Sequence, residues 1–335
     1  MSQTLRVGLD LDGSLESLGN SMIDLADALE ATGECELVRF RTLEGPVGPG
    51  EPRMAMRPLW APWWRRSRGR AIDDLLPDVD VVHVAGLATP PTRSTSLVIS
   101  VDDLRPLRAE SRTVQRIAQL RRAADHGALL VASSHAARHE VQELLKITRS
   151  QVVVVPPAVP LVSATPAGMD LVVNVTGLTD RFLHLAPSLV KFTRREGAQL
   201  VALTSSEAGV RVRSADLGVV VRPRSDARDA LAHARVVLHL SDGARFPSFA
   251  IAALAAGVPT IARATAINRE LLAGAALLAT SDEEVVVNLE DVWSNESRRA
   301  IMVAAGRSRA VDFAPSTASR AYLALYRDVV RGFSS

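Results

Sequence analysis

The sequence predicts an α/β protein built from two doubly wound domains, and three observations carry that prediction. Short apolar runs of strand length alternate with helix-forming segments from Leu5 to Val155, and the alternation restarts from Leu171 to Ala279. Between the two series, Leu161 to Met169 is rich in Pro, Ala, Ser and Thr, a linker composition. Three helices close the chain, the last amphipathic from Pro315 to Gly332. The expected units are residues 1–160, residues 161–315 and a terminal helix over 316–335.

In the first unit Leu5 to Leu11 is an apolar strand. Asp12 to Gly19 is a Gly/Ser loop, and Ser21 to Ala31 is an amphipathic helix. Pro46 to Pro58 reads as a loop. The next strands are Val79 to Val84, ending at His83, and Leu97 to Val101. Thr113 to His126 is an Arg-studded helix, Ala128 to Ser133 a strand, Ser134 an N-cap and His135 to Leu145 the helix it caps. Gln151 to Val155 is the last strand before Pro156 and Pro157. In the second unit the expected strands are Leu171–Val175, Gln199–Leu203, Leu217–Val221, Val236–Leu240 and Ala276–Ala279. The expected helices are Leu185–Arg195, Asp226–His233, Phe249–Ala256, Ser281–Leu289 and Ser294–Arg309.

Composition narrows the function. A chain of 335 residues, 47% apolar and 23% charged, has the size of two ordinary domains and is globular rather than disordered. Cys35 is the only cysteine, which excludes disulfides within the chain and a cysteine zinc site. The net charge of +2 does not argue for nucleic acid, and Lys146 and Lys191 are the only lysines. The amino end lacks a signal peptide, and no apolar run approaches the roughly 20 residues of a membrane helix, so a cytoplasmic setting is expected. Trp60, Trp63 and Trp64 stand among Arg65, Arg66, Arg68 and Arg70. Such a stretch suits peripheral contact with an anionic membrane or a groove for a lipid-linked or glycan acceptor. It equally suits a loop whose tryptophans pack on the core while its arginines stay solvated.

The organising stretch is 238–280. An apolar strand to Leu240 enters a loop with Gly243, Arg245 and Pro247, and the helix beyond ends at Gly257 and Pro259. Strand, loop and helix place the loop at the carboxyl end of a strand, where open α/β sheets bind ligands. The stretch resembles the signature of the retaining, nucleotide-sugar-dependent glycosyltransferases of family 4. Phe246, Ala253, Leu254, Ala255, Gly257, Val258 and Pro259 fall on that pattern, and Glu270 falls where the family has its Pro-Glu. Val131 to Arg138 and Val152 to Pro157 resemble two further stretches of the family, and Gly19 matches its first loop glycine.

The resemblance implies a GT-B architecture, with a cleft between two Rossmann-like domains and a terminal helix that returns to the first. It also implies sugar transfer from a nucleotide sugar to a glycan, lipid-linked or small-molecule acceptor, with no metal and no further cofactor. The donor-site motifs are degenerate. The family's two glutamates fall on Ala244 and Ala252, its Arg and Lys after the first strand of the second domain fall on Leu178 and Leu183, and its His falls on Asp102. Asp102 and Glu270 are therefore the catalytic candidates. Gly177, Arg181, Gly243, Arg245, Phe246 and Ser248 are the donor-side candidates, with Gly19, Asn20, Trp63 and Trp64 on the acceptor side.

Two readings follow: a transferase with an altered donor site, and a catalytically silent homologue that activates or scaffolds an active relative. A third comes from Asp10-Leu11-Asp12-Gly13, which resembles the first motif of haloacid-dehalogenase phosphatases. That chemistry needs a downstream Lys and acidic pair, which neither lysine supplies. His239 is expected to be buried with its hydrogen bonds satisfied. The seven histidines show no metal-ligand spacing, and neither a Walker loop nor a Gly-x-Ser-x-Gly motif occurs.

Overall fold

The computed structural model describes residues 4–11, 15–16, 19–41, 71–85, 89–101, 113–161, 168–175, 179–241 and 245–333. Two six-stranded sheets, every pairing parallel, account for the two series of βα units. The first contains β1 (Leu5–Asp10), β4 (Cys35–Phe40), β5 (Val81–Ala85), β6 (Ser96–Val101), β7 (Leu129–Ala132) and β8 (Val152–Val154), in the order β4-β1-β5-β6-β7-β8. A short antiparallel ladder of β2 (Leu15–Glu16) and β3 (Gly19–Asn20) follows β1.

The second sheet contains β9 (Asp170–Asn174), β10 (Leu200–Thr204), β11 (Val220–Pro223), β12 (Ala234–His239), β13 (Thr260–Arg263) and β14 (Leu277–Ala279). Its order is β11-β10-β9-β12-β13-β14. The strand order reverses beside β1 in the first sheet and between β9 and β12 in the second. Neighbouring connections leave in opposite directions there and open a crevice at the carboxyl ends.

Both faces of each sheet are covered, so the central strands read as continuous apolar runs rather than alternating ones. All six residues of β6 are buried. Phe40, Ile72, Ile99 and Leu130 pack on one face of the first sheet, and Val7, Leu9 and Leu25 on the other. That second layer is completed by Ala318, Tyr322, Leu323 and Tyr326 of the helix Pro315–Phe333, which returns to the first domain. A polar tether runs through the same layer: His83 Nδ1 lies 2.7 Å from the Tyr326 hydroxyl and His83 Nε2 lies 2.8 Å from Ser100 Oγ.

Four elements differ from the sequence-based expectation. β4 was not anticipated, and it pairs along its whole length with β1. The helix expected from Leu185 begins at Thr179, so Pro187 lies inside it rather than near its start. Ser206–Ser214 is a helix although Gly209 sits within it. A Cβ there would come within 2.7 Å of Thr204 Oγ1, so close packing on β10 demands glycine. Ala266–Leu272 is a helix, N-capped by Thr265, where only a passage between strands was read.

Burial of two neutral histidines sets an acid limit on stability. Desolvation lowers the His83 imidazole to about 3 and the His239 imidazole to about 4. Unfolded histidine takes up its proton near 6.5, so below that pH the unfolded chain binds more protons and stability falls. Asp24, raised to about 6 chiefly by burial, and Asp170, also raised by burial, act oppositely at acid pH, against the two histidines. A urea midpoint that declines from pH 7 to pH 5, and declines less in His83→Gln, is the expected result. A flat profile would show that these rings reach solvent.

Candidate functional site at the carboxyl ends of the second sheet

Among the described residues, Val175 after β9 and Leu240, Ser241 and Arg245 to Pro247 after β12 stand at the crevice between these strands. Of the donor-side candidates, Gly177 and Gly243 lie outside the described residues, as do Leu178, Ala244, Asp102, Trp63 and Trp64. Gly19 and Asn20 form β3, in the ladder at the carboxyl end of β1.

Arg181 stands in the first turn of the helix Thr179–Arg195, directly after β9. It donates to Asp282 Oδ1 at 3.1 Å, and Arg263 Nη1 donates to the same oxygen at 3.2 Å. Arg263 is the last residue of β13, and Asp282 opens the helix Asp282–Ser294, capped by Ser281. Two permanent cations thus meet at one carboxylate oxygen, with side chains only 27%, 13% and 23% exposed for Arg181, Arg263 and Asp282. Glu284, two residues on, is turned to Thr280, whose amide and hydroxyl donate to it at 2.6 and 2.7 Å. Arg263 was not singled out in the sequence. Only its place at the end of β13 could flag it, and that short strand carries no sequence boundary after Arg263.

The signature helix Ser248–Ala256 is buried on every side. Phe249 through Leu254 and Ala256 are all inaccessible, and Gly257 ends the helix at φ +78°, a left-handed cap. Ala252 is completely buried among them. Phe246 is likewise spent on packing, its ring 5.8 Å from Phe313 and steeply inclined to it. Ser248 is the first helical residue, and its amide bonds back to the Phe246 carbonyl at 3.0 Å. Arg245 is half-buried beside them.

Glu270 sits on the helix Ala266–Leu272, and its carboxylate crosses to the first domain. Oε1 accepts from the His135 amide at 2.7 Å and Oε2 from the Ala136 amide at 2.8 Å, at the start of the helix His135–Leu145. Ser134 caps the next amide of that helix, as its sequence position foretells. Both oxygens of Glu270 therefore hold the two domains together.

His239, at the end of β12, corrects one expectation: it is buried, but its Nε2 has no hydrogen-bond partner among the described residues. A lone buried ring shows no signature in sequence that separates paired from unpaired. Asp24 is a second residue the sequence did not reveal. It lies in the first turn of the helix Ser21–Thr32, and burial raises its pKa to about 6, with Asp27 adding to the rise and Arg228 of the second domain partly opposing it. Asp10, the nucleophile of the phosphatase reading, ends β1 fully buried. Among the described residues no three His, Cys, Asp or Glu side chains form a metal-binding group, and no helix is long and apolar enough to cross a membrane.

Two doubly wound domains facing one another, with the terminal helix returning to the first, define a GT-B fold. Solved structures agree over nearly the whole chain. Sucrose-phosphate synthase from Thermosynechococcus elongatus matches at 16% identity and a TM-score of 0.70, covering 98% of this chain and 100% of its own. Anabaena HepE in complex with UDP and glucose matches at 14% and 0.69, covering 96% and 99%. The N-terminal domain of Candida albicans trehalose-6-phosphate phosphatase matches at 10% and 0.66, covering 97% and 96%. At such identities the likeness is one of fold, and names this varied show that the fold does not fix the reaction. No family model matches the chain, and no curated protein matches its sequence.

Proposed function

We propose that the chain binds a nucleotide sugar in the crevice of its second domain through an altered donor site, and that it transfers sugar poorly when alone. The observation that carries the reading is the meeting of Arg181 and Arg263 on Asp282 at the carboxyl ends of the second sheet. The family's Arg and Lys positions hold Leu178 and Leu183, so these two guanidiniums supply the charge a diphosphate needs. A relative of this fold binds UDP and glucose, which supports the same class of donor here.

A second reading, a silent homologue that activates or scaffolds an active transferase, is favoured by two particulars. Ala252 leaves no carboxylate in the signature helix, and Glu270 has both oxygens on backbone amides. Without carboxylates to orient donor and sugar, positioning fails first. Calorimetry with UDP, GDP and dTDP sugars tests the common core of both readings. Saturable binding of at least one is expected, weakened at least about tenfold in Arg263→Ala. Unaltered affinity in that variant would remove the arginines from the site. Turnover by the purified protein alone at about 1 per second or faster would rule out silence.

A further inference from the structure

A separate pocket opens at the junction of the two domains and encloses about 720 Å³. It shares no lining residue with the cluster of Arg181, Arg263 and Asp282. The first domain contributes β8, the outer strand of its sheet, together with the turn Arg149–Gln151 and the opening of the helix His135–Leu145. The second domain contributes Leu271, Arg309, Asp312 and Phe313.

The charges of this pocket do not cancel. Of its two carboxylates, Glu270 is taken up by the amides of His135 and Ala136, and Asp312 is paired with Arg309 at 2.8 Å. Arg309 is fully engaged: it also donates to the Leu271 carbonyl at 2.9 Å and the Glu270 carbonyl at 3.1 Å, and its guanidinium lies 5.0 Å from the centre of the Phe313 ring. Arg138 and Arg149 remain, and no carboxylate, carbonyl or ring among the described residues engages either guanidinium. Arg149 stands on a fixed turn, because Thr148 and Gln151 close a capping box around it and Ser150 Oγ lies 3.0 Å from Thr148 Oγ1. Val153 and Pro156 of the first domain and Leu271 and Phe313 of the second supply an apolar lining.

We propose that this pocket binds a sugar-sized organic anion, its phosphate or carboxylate held by Arg138 and Arg149 and its body set against that apolar lining. The guanidinium fork matches both kinds of anion, and the volume falls in the range of small-molecule sites. Because the walls come from both domains, a bound anion favours the arrangement that Glu270 holds and couples the pocket to the crevice. The inference stands apart from the nucleotide-sugar reading.

Calorimetry and thermal unfolding of the full chain test it with three probes: hexose 6-phosphate, inorganic phosphate and citrate. Saturable binding of hexose 6-phosphate or citrate is expected, tighter than that of inorganic phosphate, with a raised melting temperature. In the double variant Arg138→Ala/Arg149→Ala that affinity falls at least about thirtyfold, while UDP binding is unchanged. Neither side chain is buried, so the fold is retained, and Arg149→Glu provides a second variant expected to abolish binding. If none of the three anions saturates the protein below about 10 mM, or if the double variant binds as well as the unmodified chain, the proposal is overturned. Loss of UDP binding with hexose 6-phosphate binding intact would strike only the nucleotide-sugar reading.

Discussion

Ala252→Glu is expected to destabilise the protein by at least about 3 kcal/mol, the cost of forcing an unpaired carboxyl into an apolar interior. The position invites this substitution, because the family signature has a glutamate there. The packing forbids it. Ala252 is completely buried in a helix whose neighbours Phe249, Ala250, Ile251, Ala253 and Leu254 are buried as well. The next layer is close: a Cβ on Gly306, of the helix Glu296–Ala310, would lie 3.0 Å from Leu254. A glutamate would remain protonated, displace neighbours and lower the urea midpoint. Should the variant keep its stability to within about 0.5 kcal/mol and bind a nucleotide sugar more tightly, the helix opens to the ribose and the family geometry is intact.

Glu270→Ala has the next largest expected effect, a loss on the order of 2 to 4 kcal/mol, because two charge-assisted hydrogen bonds at a helix N-terminus vanish together. Glu270→Gln, which keeps one acceptor, should lose roughly half as much. The discriminating readout is amide hydrogen exchange at His135 and Ala136, which should quicken in both variants, more in Glu270→Ala. A group that served only the chemistry would leave those two amides protected. Unchanged exchange would thus leave chemistry as the role of Glu270.

Much of the fold is legible in the sequence, for a physical reason. Parallel strands buried on both faces are largely apolar, so Leu97–Ile99 of β6 and Val236–Leu238 of β12 stand out as runs. Ser134 and Gly257 mark helix ends because each meets a specific backbone need. What stays hidden depends on partners distant in the chain. Gly209 looks like a helix breaker until Thr204 is seen against it. Glu270 reads as a site carboxylate because its spacing is that of a signature, yet its partners lie 135 and 134 residues away. Arg263 is one arginine among many until Asp282 and Arg181 gather around it. Nothing in the local sequence of His239 says that Nε2 lacks a partner.

The tether between His83 and Tyr326 also has a bearing on how the protein is made. The layer of Val7, Leu9 and Leu25 is closed by side chains from residues 318–326, so the first domain to leave the ribosome cannot bury that face until those residues have been synthesised. The second domain also waits on late residues, because Met302, Ala310 and Phe313 lie in its buried core although its strands all lie between Asp170 and Ala279. Both domains therefore close on neighbouring late segments, and the first, made earliest, keeps an apolar surface in search of cover for the longest time.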